Sequence, residues 1–396
     1  MLEKTSFTEI NKKKNRKIVL FGSGNIAKKT IRKIGTERIS FIADNSENLQ
    51  GKQYEGIDIY APSQIKKDSF VIICSTAISE ISSQLEKQGL ISNQNFTISP
   101  ILNDLLAISD LEQINTSFYF TSGSVPQEKS STGGGLYRCE VLGDEIVTTK
   151  IYSGACYGAT LVKDSIYFID TDKGIFELKG DQFSHLTELP KSSRAHGISY
   201  NKSNSRFYIT GSYLDGAYEL DSDFNILRTI KISNKIDSTK EPMHHCNDNL
   251  SMGNSLYISM FSSSGNWKND VFDGCIAEFD LSTGERMRNI YDGLYMPHNV
   301  KFYDGTIHVL DSLPGHLRFN NLSIQGTFPA FTRGLDYKNG LYYLGQSKNR
   351  NYSKVLGLSN NISIDCGVII FNPDIKASRF IQFPHSIGEI HSIVVS

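Results

Sequence analysis

The chain has almost no net charge, no apolar run long enough to cross a membrane, no paired cysteine spacing and a single tryptophan. Its 41 Lys and Arg residues stand against 42 Asp and Glu, leaving −1 at neutral pH. So even a balance makes no field to gather nucleic acid or an anionic membrane, and any charged ligand has to be met by a local cluster. Residues 1–17 are polar and lysine-rich, without the apolar stretch of a signal peptide, and no later segment approaches a membrane span. The expectation is a cytoplasmic protein with a small-molecule partner and neither nucleic acid nor membrane. Six cysteines, Cys74, Cys139, Cys156, Cys246, Cys275 and Cys366, show no CxxC. In a cytosolic chain that spacing predicts reduced thiols filling core positions and excludes a disulfide frame.

What is present is an internal repeat. A strand-opening signature recurs at Tyr157-Gly158, His196-Gly197, His245-Cys246, His298-Asn299, Arg333-Gly334 and Glu389-Ile390. The first five lead through a short turn into an alternating strand such as residues 165–170 (SIYFID) or 306–311 (TIHVLD). A unit of roughly 40 to 50 residues with four short strands is the period of a β-propeller. Residues 118–121, 134–141 and 146–152 read as three strands of a blade without its innermost one, while 391–396 (HSIVVS) is one strand without a blade. Pairing them closes a six-bladed ring and removes both exposed edges.

The pattern before residue 115 differs. Residues 17–21 (KIVLF) meet Gly22-Ser23-Gly24-Asn25-Ile26-Ala27 and then a helical pattern through Ile34, and residues 39–43 end at Asp44. Strand, glycine turn, helix and an acid at the next strand end predict a Rossmann-like α/β domain over 1–115, preceding the all-β propeller at 116–396. In that reading Gly22, Gly24, Asn25 and Ile26 receive a phosphate at the helix N-terminus and Asp44 takes a ribose hydroxyl, the cofactor being a nucleotide sugar or NAD. The alternative is a degenerate domain that keeps the turn for packing.

Residues 16–100, with DNSENLQGKQYEGIDIYAP at 44–62 and FVIICS at 70–75, resemble the nucleotide-sugar-binding domains of bacterial sugar acetyltransferases and of surface-glycan enzymes. Sugar dehydrogenases with a comparable first domain carry a Glu-Lys-Pro that residues 96–100 (FTISP) lack, so hydride transfer is not assigned. From Phe118 onward the chain resembles an uncharacterised bacterial family of β-propeller domains. The resemblance rests on Gly133 to Arg138, His245 with Asn247, Trp267-Lys268, Met296-Pro297-His298, Thr332 to Leu335, Ser347 to Arg350, Cys366-Gly367 and Glu389. It implies fold and carries no reaction; relatives tend to show Pro-His-Ser where this chain has Pro297-His298-Asn299.

In a propeller the innermost strands start at the central axis, so Tyr157, His196, His245, His298, Arg333 and Glu389 should ring one funnel, with His391 just inside. The long loops 262–274, holding Trp267, and 346–366, holding Lys348 and Arg350, fall on that face. His196, His245 and His298 could ligate a divalent metal, or could equally hydrogen-bond between blades. Arg194, Arg333, Lys348 and Arg350 suit an acidic sugar, a sugar phosphate or a nucleotide sugar, and Trp267 suits stacking on a sugar face. Glu389 reads either as a general base with a histidine as acid or as the ion-pair partner of Arg333. Cys246, inside a strand, reads as packing.

Catalytic roles are therefore expected at His245, His298, Glu389 and Arg333, and substrate contacts at Tyr157, His196, Trp267, Lys348, Arg350 and His391. The function they suggest is a sugar- or glycan-biosynthesis enzyme with lyase or epimerase chemistry. The alternative is a non-catalytic propeller recognising a glycan or protein, with a nucleotide-sensing first domain.

Overall fold

A computed structural model describes residues 2–13, 16–126, 133–348 and 362–396. The chain divides into two compact units, Met1–Asp110 and Leu111–Ser396.

The second unit is a six-bladed β-propeller. Five four-stranded antiparallel sheets follow in chain order, over 156–187, 195–231, 246–294, 297–327 and 331–383 (blades 2 to 6). Blade 1 combines strands Asn115–Pro126, Gly133–Leu142 and Glu145–Ser153 with the innermost strand Ser392–Val395 from the other end of the chain. The pairing is antiparallel, with Ser392 opposite Thr121 and Val395 opposite Phe118. Middle strands such as Gly216–Leu220 and Gly274–Asp280 are buried at almost every position because each sheet packs both faces against its neighbours, and Phe118, Phe120, Tyr137, Ile381, Phe383, Ile390 and Ile393 form one core across the closure between blades 6 and 1. Phe120 stacks on Tyr137 at 4.9 Å and on Phe383 at 4.4 Å, so aromatic faces join what the chain ends bring together.

Each innermost strand of blades 2 to 6 carries a bulge at the repeated signature. The register shifts between Cys156 and Ala159, Ala195 and Ile198, Cys246 and Asn249, His298 and Val300, and Thr332 and Leu335. A bulge puts two residues opposite one and re-aims a side chain, here at the start of the strand nearest the axis. Glycine serves there because inner strands approach closely: a Cβ on Gly197 would lie 2.7 Å from Asn247 O, and one on Gly158 would lie 2.5 Å from His196 O.

The first unit corrects the expected Rossmann-like domain. Its six-stranded sheet is mixed. Strands Ile18–Phe21, Ile39–Ala43, Ile57–Tyr60, Phe70–Ile73 and Phe96–Ile98 run parallel, while Gln53–Tyr54 pairs antiparallel with Ile57–Tyr60. Where a doubly wound fold would cross over through a helix after Ala43, this chain makes a hairpin, so the dinucleotide-binding unit is not built. The glycine turn is also filled from within. Asp44 Oδ2 accepts hydrogen bonds from Ser23 N at 2.9 Å and Ser23 Oγ at 2.7 Å, and its Oδ1 accepts from Ser46 N at 2.9 Å. The carboxylate expected to meet a ribose thus holds the turn that Gly22, Gly24, Asn25 and Ile26 were expected to offer to a phosphate. No nucleotide-sugar or NAD site is assigned to this unit.

The closure can be tested at Ile393, which is 1% exposed in the shared core. Ile393→Ala is expected to lower unfolding free energy by about 2–5 kcal/mol, read from chemical denaturation. An effect below about 1 kcal/mol would mean that the terminal strand contributes little to the ring.

Candidate functional site

The bulged strand starts bring two tiers of side chains to the axis. Equivalent hydrogen bonds set the register: Gly197 N donates to Thr210 Oγ1, Asp248 N to Ser259 Oγ and Ser392 N to Thr121 Oγ1. The residues just before these donors, His196, Asn247 and His391, are therefore equivalent, and with Tyr157, His298 and Arg333 they form the inner tier. His245 and Glu389 lie two residues earlier, in an upper tier with Arg194, Met296 and Phe331. The expected ring is corrected in two blades: Asn247 replaces His245, and His391 replaces Glu389. In blade 4 the bulge is built from Asn247 and Asp248 without glycine, and the preceding histidine imitates the signature at the wrong register.

Arg194, His245 and Met296 have φ of 44°, 52° and 53°, a left-handed conformation that non-glycine residues rarely adopt. At His245 the cause is visible. The buried Asp215 carboxylate accepts hydrogen bonds from the backbone N–H groups of Met243, His244 and His245, the last at 3.1 Å, and pins the turn that tips the imidazole inward.

Both tiers line a cavity of about 260 Å³, together with Ser212, Phe261, Trp267 and Lys348. Trp267 packs against His245, ring centroids 4.5 Å apart, so the lone tryptophan does enter the lining. Lys348 Nζ donates to His385 O at 2.6 Å at the rim. Arg350 lies outside the described residues.

On one side of the cavity sits a charged cluster. Glu389 Oε2 accepts a hydrogen bond from His391 Nε2 at 2.9 Å and lies 3.5 Å from Arg333 Nη1. Arg333 Nε donates to Ser347 Oγ at 3.3 Å. Arg333 is buried, which lowers its pKa to about 10, yet the guanidinium remains a cation at neutral pH. Its Nη2 has no hydrogen-bond partner among the described residues. Above it, Arg194 Nη2 approaches Tyr157 OH at 3.5 Å.

The neighbouring blades 4 and 5 contribute neutral imidazoles. Burial, then the charges of neighbouring groups, push His245 down to about 3 and His298 well below the ordinary imidazole range. His298 Nδ1 sits 3.0 Å from Met296 O and 2.9 Å from Ser312 Oγ. Asp248, although buried, is held below the usual carboxylate range by His196, 3.8 Å away, and by the N–H of Asn299.

The three histidines expected as metal ligands are not gathered around one point. Among the described residues no group of three His, Cys, Asp or Glu side chains is arranged to hold a metal ion. His196 stands between His298 and His391 with centroids 5.9 and 5.2 Å away, while His245 is stacked on Phe261 at 4.4 Å. His245 is two residues out of register with the other two, so the trio does not converge. All six cysteines are buried, and Cys246 is a packing residue in the core of blades 3 and 4.

A family model described as a domain of unknown function, DUF4915, matches residues 237–396, less than half of the chain. That span holds Asn247, Trp267, His298, Arg333, Glu389 and His391; Tyr157, Arg194 and His196 precede it. A model described as C2185-like, N-terminal, matches residues 14–95, in place of the nucleotide-sugar-binding domain expected there. No curated protein sequence is a significant match.

Among solved structures, a protein of unknown function from Bacteroides caccae is similar at 14% identity and a TM-score of 0.47, over 71% of this chain and 98% of that one. A gluconolactonase from Xanthomonas campestris is similar at 12% identity and 0.44, over 67% and 89%. The calcium-binding protein regucalcin from Agrobacterium tumefaciens is similar at 13% and 0.40, over 56% and 73%. Likenesses this distant carry no argument about chemistry. No helix among the described residues is long and apolar enough to cross a membrane.

The buried neutral histidines make acid stability predictable. Unfolded, His245 titrates near 6.5; folded, near 3. Its contribution is complete above 6.5 and is lost as pH falls through that window, where only the unfolded chain takes up the proton, at about 1.4 kcal/mol per pH unit. His298 acts in the same direction. His245→Asn should flatten the fall in unfolding free energy between pH 6 and 4 by about one proton, measured by denaturant titration at each pH. An unchanged slope would place a charged imidazole in the folded site.

Proposed function

We propose that the axial cavity is the active site of an enzyme doing acid–base chemistry on a small, sugar-sized carboxylate. The observation that carries this reading is Arg333: a buried guanidinium on the cavity wall, joined to Ser347 and near Glu389, with the Nη2 edge unpartnered. A buried cation with open donors calls for an anion, and the fork of a guanidinium matches the two oxygens of a carboxylate.

Beside it, Glu389 and His391 share a hydrogen bond and can exchange a proton. In this reading a ligand carboxylate binds Arg333 and Glu389 takes the proton from the adjacent carbon. The electron pair left behind spreads into the carboxylate, whose added charge Arg333 faces. Return of a proton to the opposite face of that carbon gives epimerisation; departure of a group from the next carbon gives elimination. Both outcomes share the first step and the same residues. Tyr157 and Arg194 close the cavity over that side, and Lys348 adds a cation at the rim.

The shared step supplies the test. A panel of hexuronates of gluco, galacto and manno configuration is incubated with the protein in D₂O, and deuterium entry at the carbon bearing the carboxylate is followed by NMR. Exchange is expected with at least one of them. Glu389→Gln should slow it by roughly 10²–10⁴-fold with binding nearly unchanged, whereas Arg333→Met should weaken binding itself. Tight binding with neither exchange nor an unsaturated product in the same spectra would favour a non-catalytic propeller that only recognises the acid. Binding of neutral glucose as tight as that of the acids would sink the carboxylate reading.

A further inference from the structure

Several polar atoms in the cavity have no role in the charged cluster. His245 Nδ1, Asn247 Oδ1 and Trp267 Nε1 are buried on lining residues and find no hydrogen-bond partner among the described residues. Native interiors rarely leave such atoms unmet, so their gathering in one cavity points to a ligand that meets them.

For two neighbouring positions of the inner tier the chemistry of the missing partner can be read. Asn247 Nδ2 is 3.4 Å from His245 O and 3.4 Å from Pro297 O. Two carbonyl oxygens need the amide's donor end between them, so the atom left over is Oδ1, which only accepts. In blade 5, His298 Nδ1 faces the carbonyl of Met296, which likewise only accepts; the proton therefore sits on Nδ1, and Nε2 keeps its lone pair. That Nε2 has no hydrogen-bond partner among the described residues. Burial keeps the ring neutral, so this tautomer holds across ordinary pH.

Asn247, His298 and Arg333 occupy consecutive blades at one level. Two fixed acceptors thus stand beside the carboxylate-binding cation. Resting on the function proposed above, we infer that the substrate is a polyhydroxy carboxylic acid whose hydroxyl groups, close to the carboxylate, donate hydrogen bonds to Asn247 Oδ1 and His298 Nε2. A carboxylate suits the fork of the buried Arg333 guanidinium, whose parallel donors match its two oxygens.

The hydroxyls and the charge can be separated by choice of probe. Calorimetric titration would compare the three hexuronates with tetrahydropyran-2-carboxylate, which keeps ring and carboxylate but lacks hydroxyls. The best hexuronate should bind the unaltered protein at least about tenfold more tightly than the bare acid. Asn247→Leu, similar in volume, should erase most of that difference by weakening only the hexuronate. Asn247→Gln, which keeps both the donor and the acceptor of the amide, should retain more of it than the leucine variant, and melting temperatures would show that both fold.

Equal binding of hexuronate and bare acid to the unaltered protein, both lost in Arg333→Met, would overturn the hydroxyl inference and leave the carboxylate site standing. Equal weakening of both acids by Asn247→Leu would overturn it as well. Failure of every acid to bind, or binding indifferent to Arg333→Met, would overturn the inference together with the function beneath it.

Discussion

The pairing of Ser392–Val395 with Asn115–Pro126 is the constraint on which the propeller depends, because it turns a row of blades into a ring. An open row would leave two sheet edges with unpaired backbone groups, and its inner strands would have no common axis. Closure aims all six strand starts at one point. His391 illustrates the dependence: it belongs to the terminal segment that completes blade 1, and it stands 3.5 Å from Arg333 of blade 6 and in ring contact with Tyr157 of blade 2 at 4.1 Å. The candidate site is assembled across the closure, from residues far apart in the chain.

The second recurrent device is the bulge. A regular strand start would point alternate side chains between sheets, whereas two residues opposite one partner direct the opening residue to the axis. The left-handed turns at Arg194, His245 and Met296 extend this to an upper tier. Strain of that kind persists only where surroundings over-determine it. At His245 the surroundings are the Asp215 carboxylate and the aromatic faces of Phe261 and Trp267. The site is consequently preorganised, with charge around Arg333 and Glu389 and neutral imidazoles at His245 and His298.

The first unit shows how a motif with the correct spacing can take a different role. A glycine turn between a strand and a helix, with an acid at the next strand end, carries the spacing of a dinucleotide site. Spacing does not say whether that acid faces outward or bonds to the turn, and Asp44 bonds to Ser23. The hairpin at 53–60 stands where a crossover helix would be expected, and its antiparallel backbone pairing distinguishes it.

Sequence alone determined the six-unit repeat, the strand that closes the ring and most of the residues at its mouth, because glycines, turns and alternating apolar residues are local requirements of each strand. Tyr157, His196, His298 and Arg333 were legible as axial for that reason. Tertiary structure alone decided which residue of each signature reaches the inner tier, since this depends on hydrogen bonds to the neighbouring strand: Asn247 rather than His245, His391 rather than Glu389. It also decided that three histidines do not converge on a metal, and that a buried guanidinium keeps one edge open toward the cavity. Such properties arise from the relative placement of side chains on different blades, which no spacing along the chain encodes.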